Sequence, residues 1–115
     1  MDLGQTQPFD GLIFMIVNLS IFPIGKGESV GRFVAEAVRE IVKSGLDYRL
    51  TPMGTLLEGE WDPVMKLVGR IRKKILKTSG RIYITLSIDE RKGRKGLMQS
   101  KVRSVENILG HPLRK

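Results

Sequence analysis

The chain has 115 residues, a formal net charge of +8, one histidine and no cysteine. This length predicts one domain with one hydrophobic core. The composition excludes disulfides, thiolate metal sites and any chemistry that needs two histidines. It also identifies a basic protein whose surface can attract an anionic partner.

The two ends of the chain are expected to lie outside the folded domain. Residues 1–11 are polar and have no period, which predicts a loose N-terminal segment. We expect a single domain over residues 12–110 and a tail over residues 111–115. The apolar run 12–24 is shorter than the roughly 20 residues that span a bilayer, and no basic residue precedes it. We therefore expect a cytoplasmic protein without a membrane partner.

The domain opens with a predicted strand and a predicted helix. Side chains in the strand 12–22 alternate between two faces. The helix 30–44 has Ser29 as its N-cap and Gly45 just after its end. A helix stripe at i, i+3, i+4 and i+7 spacing predicts burial for these residues: Val30, Phe33, Val34, Ala37, Val38 and Ile41.

A tight corner joins the next two predicted strands. The strand 46–51 must end at Pro52, which has no backbone donor, and Gly54 lets the chain turn. The strand 55–59 carries one acidic side chain, Glu58, in an otherwise apolar run. A carboxylate in such a setting requires a partner, because burying it alone is costly.

The sequence of the second half of the domain predicts a helix, a strand and a shorter helix. Asp62 is the expected N-cap of the helix, Trp61 packs on its first turn, and Gly80 ends it. The strand 81–89 has a clean alternation of apolar and polar residues. The last helix spans residues 98–109, with one apolar side formed by Met98, Val102, Val105 and Leu109.

This order of elements predicts an α+β, ferredoxin-like βαββαβ fold with a C-terminal helix. Right-handed crossovers place both long helices on one face of a four-stranded antiparallel sheet. The other face should carry Asn18, Ser20, Glu58, Tyr83, Thr85 and Ser87. A partly apolar open face favours ligand binding or self-association, so we expect a homodimer or homotetramer.

Other candidate motifs are weaker. Gly25, Gly27 and Gly31 surround a strand-to-helix turn, but their spacing does not match a dinucleotide or phosphate loop. Glu58 and Asp89 could form a carboxylate pair, although each has an ordinary structural explanation as an ion pair or cap. The basic run 66–77 is typical of a solvated helix face, and no RNP1 pattern is present, so a nucleic-acid partner is not expected.

Several stretches together resemble the small thiamine-binding protein family. They are Ser20-Ile-Phe-Pro-Ile-Gly25, Ser29, Val34 to Val38, Tyr48 to Thr55 with Glu58-Gly59, and Asp89-x-Arg91. The core Thr-Pro-Met-Gly-Thr-x-x-Glu-Gly is specific, whereas the helices are generic. The resemblance implies a ferredoxin-like fold, edge-to-edge dimers, tetramers that pack sheet faces, and no known catalysis.

The same resemblance implies binding of thiamine or its hydroxymethyl-pyrimidine part. The family's motif residues carry over as Ser20, Ser29, Met53, Thr55 and Glu58. A carboxylate can accept the amino hydrogen of the pyrimidine, a methionine can pack on the ring, and hydroxyls can orient it. Lys26 and Arg91 are candidate partners for the phosphate of thiamine phosphate.

Three functions follow from this reasoning. The first is a non-catalytic small-molecule binding protein with no cofactor other than a thiamine-like ligand. The second is a regulatory module that binds an anionic ligand or nucleotide through its basic surface. The third is an acylphosphatase-like hydrolase, which is disfavoured because the turn after the first strand offers Lys26 and no arginine.

Overall fold

A computed structural model describes residues 13–25, 27, 30–93 and 96–115. The elements in chain order are β1 (Ile13–Pro23), α1 (Val30–Ser44), β2 (Asp47–Thr51), β3 (Gly54–Glu60), α2 (Trp61–Leu76), β4 (Ile82–Lys92) and α3 (Leu97–Leu109). The four strands form one antiparallel sheet in the order β2-β3-β1-β4. The expected ferredoxin-like fold is confirmed. The predicted loose segment 1–11 and the N-cap Ser29 lie outside the described residues.

The core lies between one face of the sheet and the two long helices. On β1, every second side chain is buried, from Met15 through Val17 and Leu19 to Ile21. The predicted stripe of α2 is buried against them: Val64, Leu67, Val68, Ile71 and Ile75. On α1 only Ala37 and Ile41 of the six predicted residues are buried. The remaining apolar side chains of α1 are therefore left partly accessible.

Three predicted boundaries are wrong by a few residues. The α2 helix begins at Trp61, and its N-cap is Glu60 rather than Asp62. Trp61 is therefore part of the helix, so it does not pack on the first turn from a position before the helix. The same helix ends at Leu76 rather than Gly80. Strand β4 continues through Glu90 to Lys92, because these polar residues pair with the start of β1. Pairing with β1 therefore keeps these residues in the strand, although their polarity predicted a loop.

The third helix is held to the sheet mainly through its first turn. Leu97 is 1% exposed, whereas Val105, Ile108 and Leu109 are exposed. Lys101 of the same helix forms an ion pair with Asp89 of β4. Much of the predicted apolar side of α3 is thus uncovered in a single chain. Among the helices that the structure describes, each falls short of the length and apolarity needed to cross a membrane.

The C-terminal tail folds back onto α3 through one carboxylate. Glu106 Oε2 accepts hydrogen bonds from Leu113 N–H at 2.6 Å and from Lys115 Nζ at 2.8 Å. The bond from Leu113, followed by that from Lys115, holds the pKa of Glu106 below its ordinary value of 4.5. The docked tail is therefore linked to the ionised form of this side chain.

This linkage predicts that acid releases the tail. Because the folded pKa lies below the unfolded value, the stabilisation is complete above a pH of about 4.5 and is lost as the pH falls through the folded pKa. The amide resonance of Leu113 should then move toward its unfolded position. In Glu106→Gln, the carboxamide does not ionise and this resonance should no longer titrate. Identical titration of Leu113 in both proteins would contradict the prediction.

Candidate functional site

The corner between β2 and β3 is fixed by a single hydroxyl. Thr51 Oγ1 donates to Gly54 O at 2.7 Å and accepts from Met53 N–H at 3.2 Å. Strand β2 ends at Thr51, directly before Pro52, as predicted. The turn leaves Met53 84% exposed at its tip. The corner therefore presents the apolar side chain of Met53 on a hydrogen-bonded turn.

A cleft of about 340 Å³ opens between this corner, α1 and the end of β1. Its apolar wall on the helix side is formed by Val30, Val34, Ala37, Val38 and Ile41. Opposite them lie Leu50 to Thr55, and the floor is Leu19 to Phe22 of β1. This volume is within the range of small-molecule sites. Three of the predicted site residues, Ser20, Met53 and Thr55, border this one cleft.

The floor of the cleft includes an unpaired edge of β1. Pairing between β1 and β3 ends at Leu19 and Thr55, whereas pairing between β1 and β4 continues to Pro23. Over residues 20–22, the side of β1 that would face β3 therefore pairs with no other described strand. An unpaired strand edge offers backbone donors and acceptors to a ligand.

Thr55 is the buried polar residue of the cleft. It lies opposite Leu19 on the helix side of the sheet and is 6% exposed. Within the part of the chain that the structure describes, its hydroxyl has no hydrogen-bond partner. A buried hydroxyl without a partner is costly unless a ligand or water satisfies it. Thr55 is therefore the polar group best placed to orient a molecule in this cleft.

The hydroxyl side chains predicted for the open sheet face lie there, but the candidate ligand residue Thr55 does not. Ser20 lies opposite Thr85 on β4, and Ser87 lies two residues further along the same face. Thr55 faces the helices instead, because β3 pairs it with the buried Leu19. Ser20 borders the cleft only at its edge, where β1 extends past β3. Ser29 lies outside the described residues.

Glu58 is placed on the open face, as predicted, but it does not line the cleft. It lies opposite Ile16 of β1 and is 4% exposed, because the first turn of α3 covers it. Its two carboxylate oxygens accept hydrogen bonds from Leu97 N–H at 2.7 Å and Met98 N–H at 3.1 Å. A carboxylate is stabilising at a helix N-terminus, where backbone donors are unpaired. The partner that the sequence required for Glu58 is thus α3.

Two other expectations are altered by the geometry. Arg91 pairs with Phe14 at the opposite end of β1 from the cleft, so it cannot share a phosphate with the turn after β1. Lys26 lies outside the described residues. Asp89 pairs with Lys101 rather than Arg91 or Glu58. Among the residues that the structure describes, no group of three acidic or histidine side chains could hold a metal ion.

The contribution of α1 to the cleft is not predicted from the sequence. Val30, Val34 and Val38 were assigned to the core, but they are only partly buried and form its helix wall. The sequence feature that could have indicated this role is the width of the apolar stripe on α1. It is broader than one sheet face can bury, so its outer row faces the cleft beside β2.

Comparisons with known proteins find relatives that match most of this chain. The sequence profile described as thiamine-binding protein matches residues 17–106. The UPF0045 protein MJ1052 of Methanocaldococcus jannaschii is 33% identical over 100 residues, which cover 84% of this chain and 100% of that protein. The UPF0045 protein Mb1933 of Mycobacterium bovis is 35% identical over 99 residues, or 85% and 97% of the two chains.

Solved structures show the same fold. The crystal structure of MJ1052 has a TM-score of 0.74 and 32% identity, with coverage of 80% of this chain and 95% of that chain. The structure of TM0486 from Thermotoga maritima, described as a candidate thiamine biosynthesis or salvage protein, has a TM-score of 0.70. At 22% identity, with coverage of 80% and 98%, this second likeness shows the fold alone. The profile match and the identity to MJ1052 show that the chain belongs to the thiamine-binding protein family.

Proposed function

We propose that this protein is a non-catalytic binding module that holds thiamine or its hydroxymethyl-pyrimidine part in the cleft beside the β2–β3 corner. The observation that carries this proposal is the cleft itself, where Met53 and the buried Thr55 lie together and Ser20 borders the edge. Family membership supports the ligand class. The name of the Thermotoga maritima structure points in the same direction.

The chemistry of the cleft suits a flat, weakly polar ring. The apolar wall of α1 packs on one side of such a ring, and Met53 can adapt to the other side. The Thr55 hydroxyl and the unpaired edge of β1 provide donors and acceptors for ring nitrogens and an amino group. None of the described residues that line the cleft is charged. The cleft therefore favours the pyrimidine half over the cationic thiazolium.

The proposed active form is a homodimer or homotetramer. Support comes from the exposed apolar residues of α3, Val105, Ile108 and Leu109, and from the exposed Tyr83 on the open sheet face. Apolar surfaces of this kind are commonly covered by a partner. Sedimentation velocity of the full chain measures the assembly directly, and a monomer at all concentrations would contradict this part of the proposal.

The binding site is tested by calorimetric titration with thiamine, thiamine phosphate and the hydroxymethyl-pyrimidine. Thr55→Val removes the buried hydroxyl at nearly constant volume, and the loss of one neutral hydrogen bond of about 1 kcal/mol should weaken binding about fivefold. Thr85→Val is the matched control, because Thr85 lies on the opposite sheet face. We expect wild-type affinity for this control.

A second variant tests the cleft by volume rather than by polarity. Val34→Phe places a larger side chain at the α1 wall and should reduce binding of all three ligands while the circular dichroism spectrum is retained. Unchanged affinity in both Thr55→Val and Val34→Phe would exclude this cleft as the site. Absence of binding by the wild-type protein would refute the proposed ligand class.

A further inference from the structure

A second and larger cleft lies on the other side of α1. It has a volume of about 550 Å³ and is lined by Arg32, Phe33 and Glu36 of α1, by Lys74 and Ile75 at the end of α2, and by Lys77 and Thr78 just after it. The valine side of α1 faces the first cleft, whereas the Arg32 side faces α2. The two clefts share no residue, so a ligand in one does not occupy the other.

The charged groups of the second cleft are unevenly paired. Lys74 Nζ lies 3.2 Å from Glu36 Oε2 and 2.8 Å from Glu40 Oε2, so its charge is already compensated. Glu36 also pairs with Arg39 at 2.6 Å. Arg32 and Lys77 form no ion pair with any residue that the structure describes. Among the described residues, the cleft is thus left with two cations that have no acidic partner, one on α1 and one just after α2.

The interior between these cations is apolar. Ile75 is 2% exposed, and Phe33 is partly buried against the core. A bare inorganic anion would interact with the cations only and would leave this surface in contact with water. A molecule that combines an anionic group with an apolar body would satisfy both parts, and 550 Å³ is the size of a small-molecule site rather than of a polymer groove.

We infer that this cleft binds a small organic anion, with a phosphate or carboxylate held between Arg32 and Lys77 and an apolar or aromatic body on Phe33 and Ile75. Arginine is suited to this role because its guanidinium can donate two parallel hydrogen bonds to either anion. This site is separate from the cleft beside the β2–β3 corner. It would make small organic anions the ligands of this part of the basic surface.

The inference is tested with phenyl phosphate as the probe, compared with inorganic phosphate and with phenol. Titrations of the full chain are followed by calorimetry at constant ionic strength. We expect saturable binding of phenyl phosphate that is at least tenfold tighter than that of either fragment. The double variant Arg32→Gln/Lys77→Gln should lose at least tenfold in affinity for phenyl phosphate.

The matched control is Lys66→Gln/Arg72→Gln, which removes the same net charge from exposed positions of α2 outside the cleft. Affinity in this control should stay within about twofold of wild type, since long-range attraction between exposed charges is screened by salt. Equal losses in the two double variants, equal binding of phenol and phenyl phosphate, or absence of saturable binding would each overturn the inference. Thiamine titrations of the same variants show whether the first cleft is independent.

Discussion

Replacing Glu58 by alanine is expected to release α3 from the sheet and to lower the free energy of unfolding by about 2 to 4 kcal/mol. The carboxylate is buried and accepts hydrogen bonds from Leu97 N–H and Met98 N–H. Alanine leaves these two donors beside an apolar cavity, where an unpaired donor is costly. Leu97, the one residue of α3 that is fully buried, should then become accessible.

Hydrogen exchange over residues 97–109 and urea denaturation measure this effect together. Glu58→Gln keeps one acceptor oxygen and nearly the same volume, so it should lose about half as much stability as Glu58→Ala. Lys101→Met removes only the exposed ion pair with Asp89, whose loss should be within about 1 kcal/mol. Equal stability of Glu58→Ala and wild type would show that this carboxylate does not anchor α3.

The same variants test the ligand role that the family motif assigns to Glu58. If Glu58 only anchors α3, Glu58→Gln should bind the pyrimidine as tightly as wild type, because the cleft lies on the other face of the sheet. Loss of binding in Glu58→Gln, with exchange protection retained in α3, would instead place the carboxylate in direct contact with the ligand. The two roles are separated because folding and binding are read out independently.

Gly54→Ala is expected to destabilise the corner by about 1 to 3 kcal/mol and to weaken ligand binding in the cleft. Gly54 has a φ of +155°, and a Cβ atom there would lie 2.5 Å from Asn18 Oδ1 and 3.0 Å from Leu19 O. The Asn18 side chain can rotate away, but the Leu19 carbonyl belongs to the central strand. The corner must therefore shift away from β1, which displaces Met53 and Thr55 together.

Gly31→Ala is the matched control for this substitution. A Cβ at Gly31 meets no heavy atom of the described residues within 4 Å, and the residue lies in α1, where alanine is the better helix former. Its stability should be equal to or slightly above that of wild type. Thermal unfolding and the calorimetric titration together provide the comparison. A Gly54→Ala protein as stable and as tightly binding as Gly31→Ala would show that β1 tolerates a wider corner.

Several residues of the corner motif have a structural role of their own. Thr51 closes the turn with its hydroxyl, Pro52 ends β2, and Gly54 allows the backbone to pass close to β1. At Gly59, a Cβ would approach Leu46 and Val64 to 3.2 Å, so the missing side chain allows α2 to pack closely. Most of the motif is thus required by the fold, whichever ligand the cleft binds.

Local sequence patterns were sufficient to predict the order of elements, the alternation of β1 and β4, and the buried stripe of α2. These follow from local periodicity and from residues such as Pro52 and Gly45, whose backbone constraints do not depend on distant contacts. The sheet face of Glu58 was also predicted correctly, but that face is fixed by the pairing of β3 with β1, in which Glu58 lies opposite Ile16.

The grouping of the predicted site residues depends on long-range contacts and could not be predicted from local patterns. Thr55 and Glu58 are three residues apart on β3, so they face opposite sides of the sheet, and each side is closed by a different helix. The cleft depends on where β3 stops relative to β1, and the partner of Glu58 is supplied by α3, about 40 residues away. Register between strands and docking of a distant helix are long-range properties, which local spacing cannot specify.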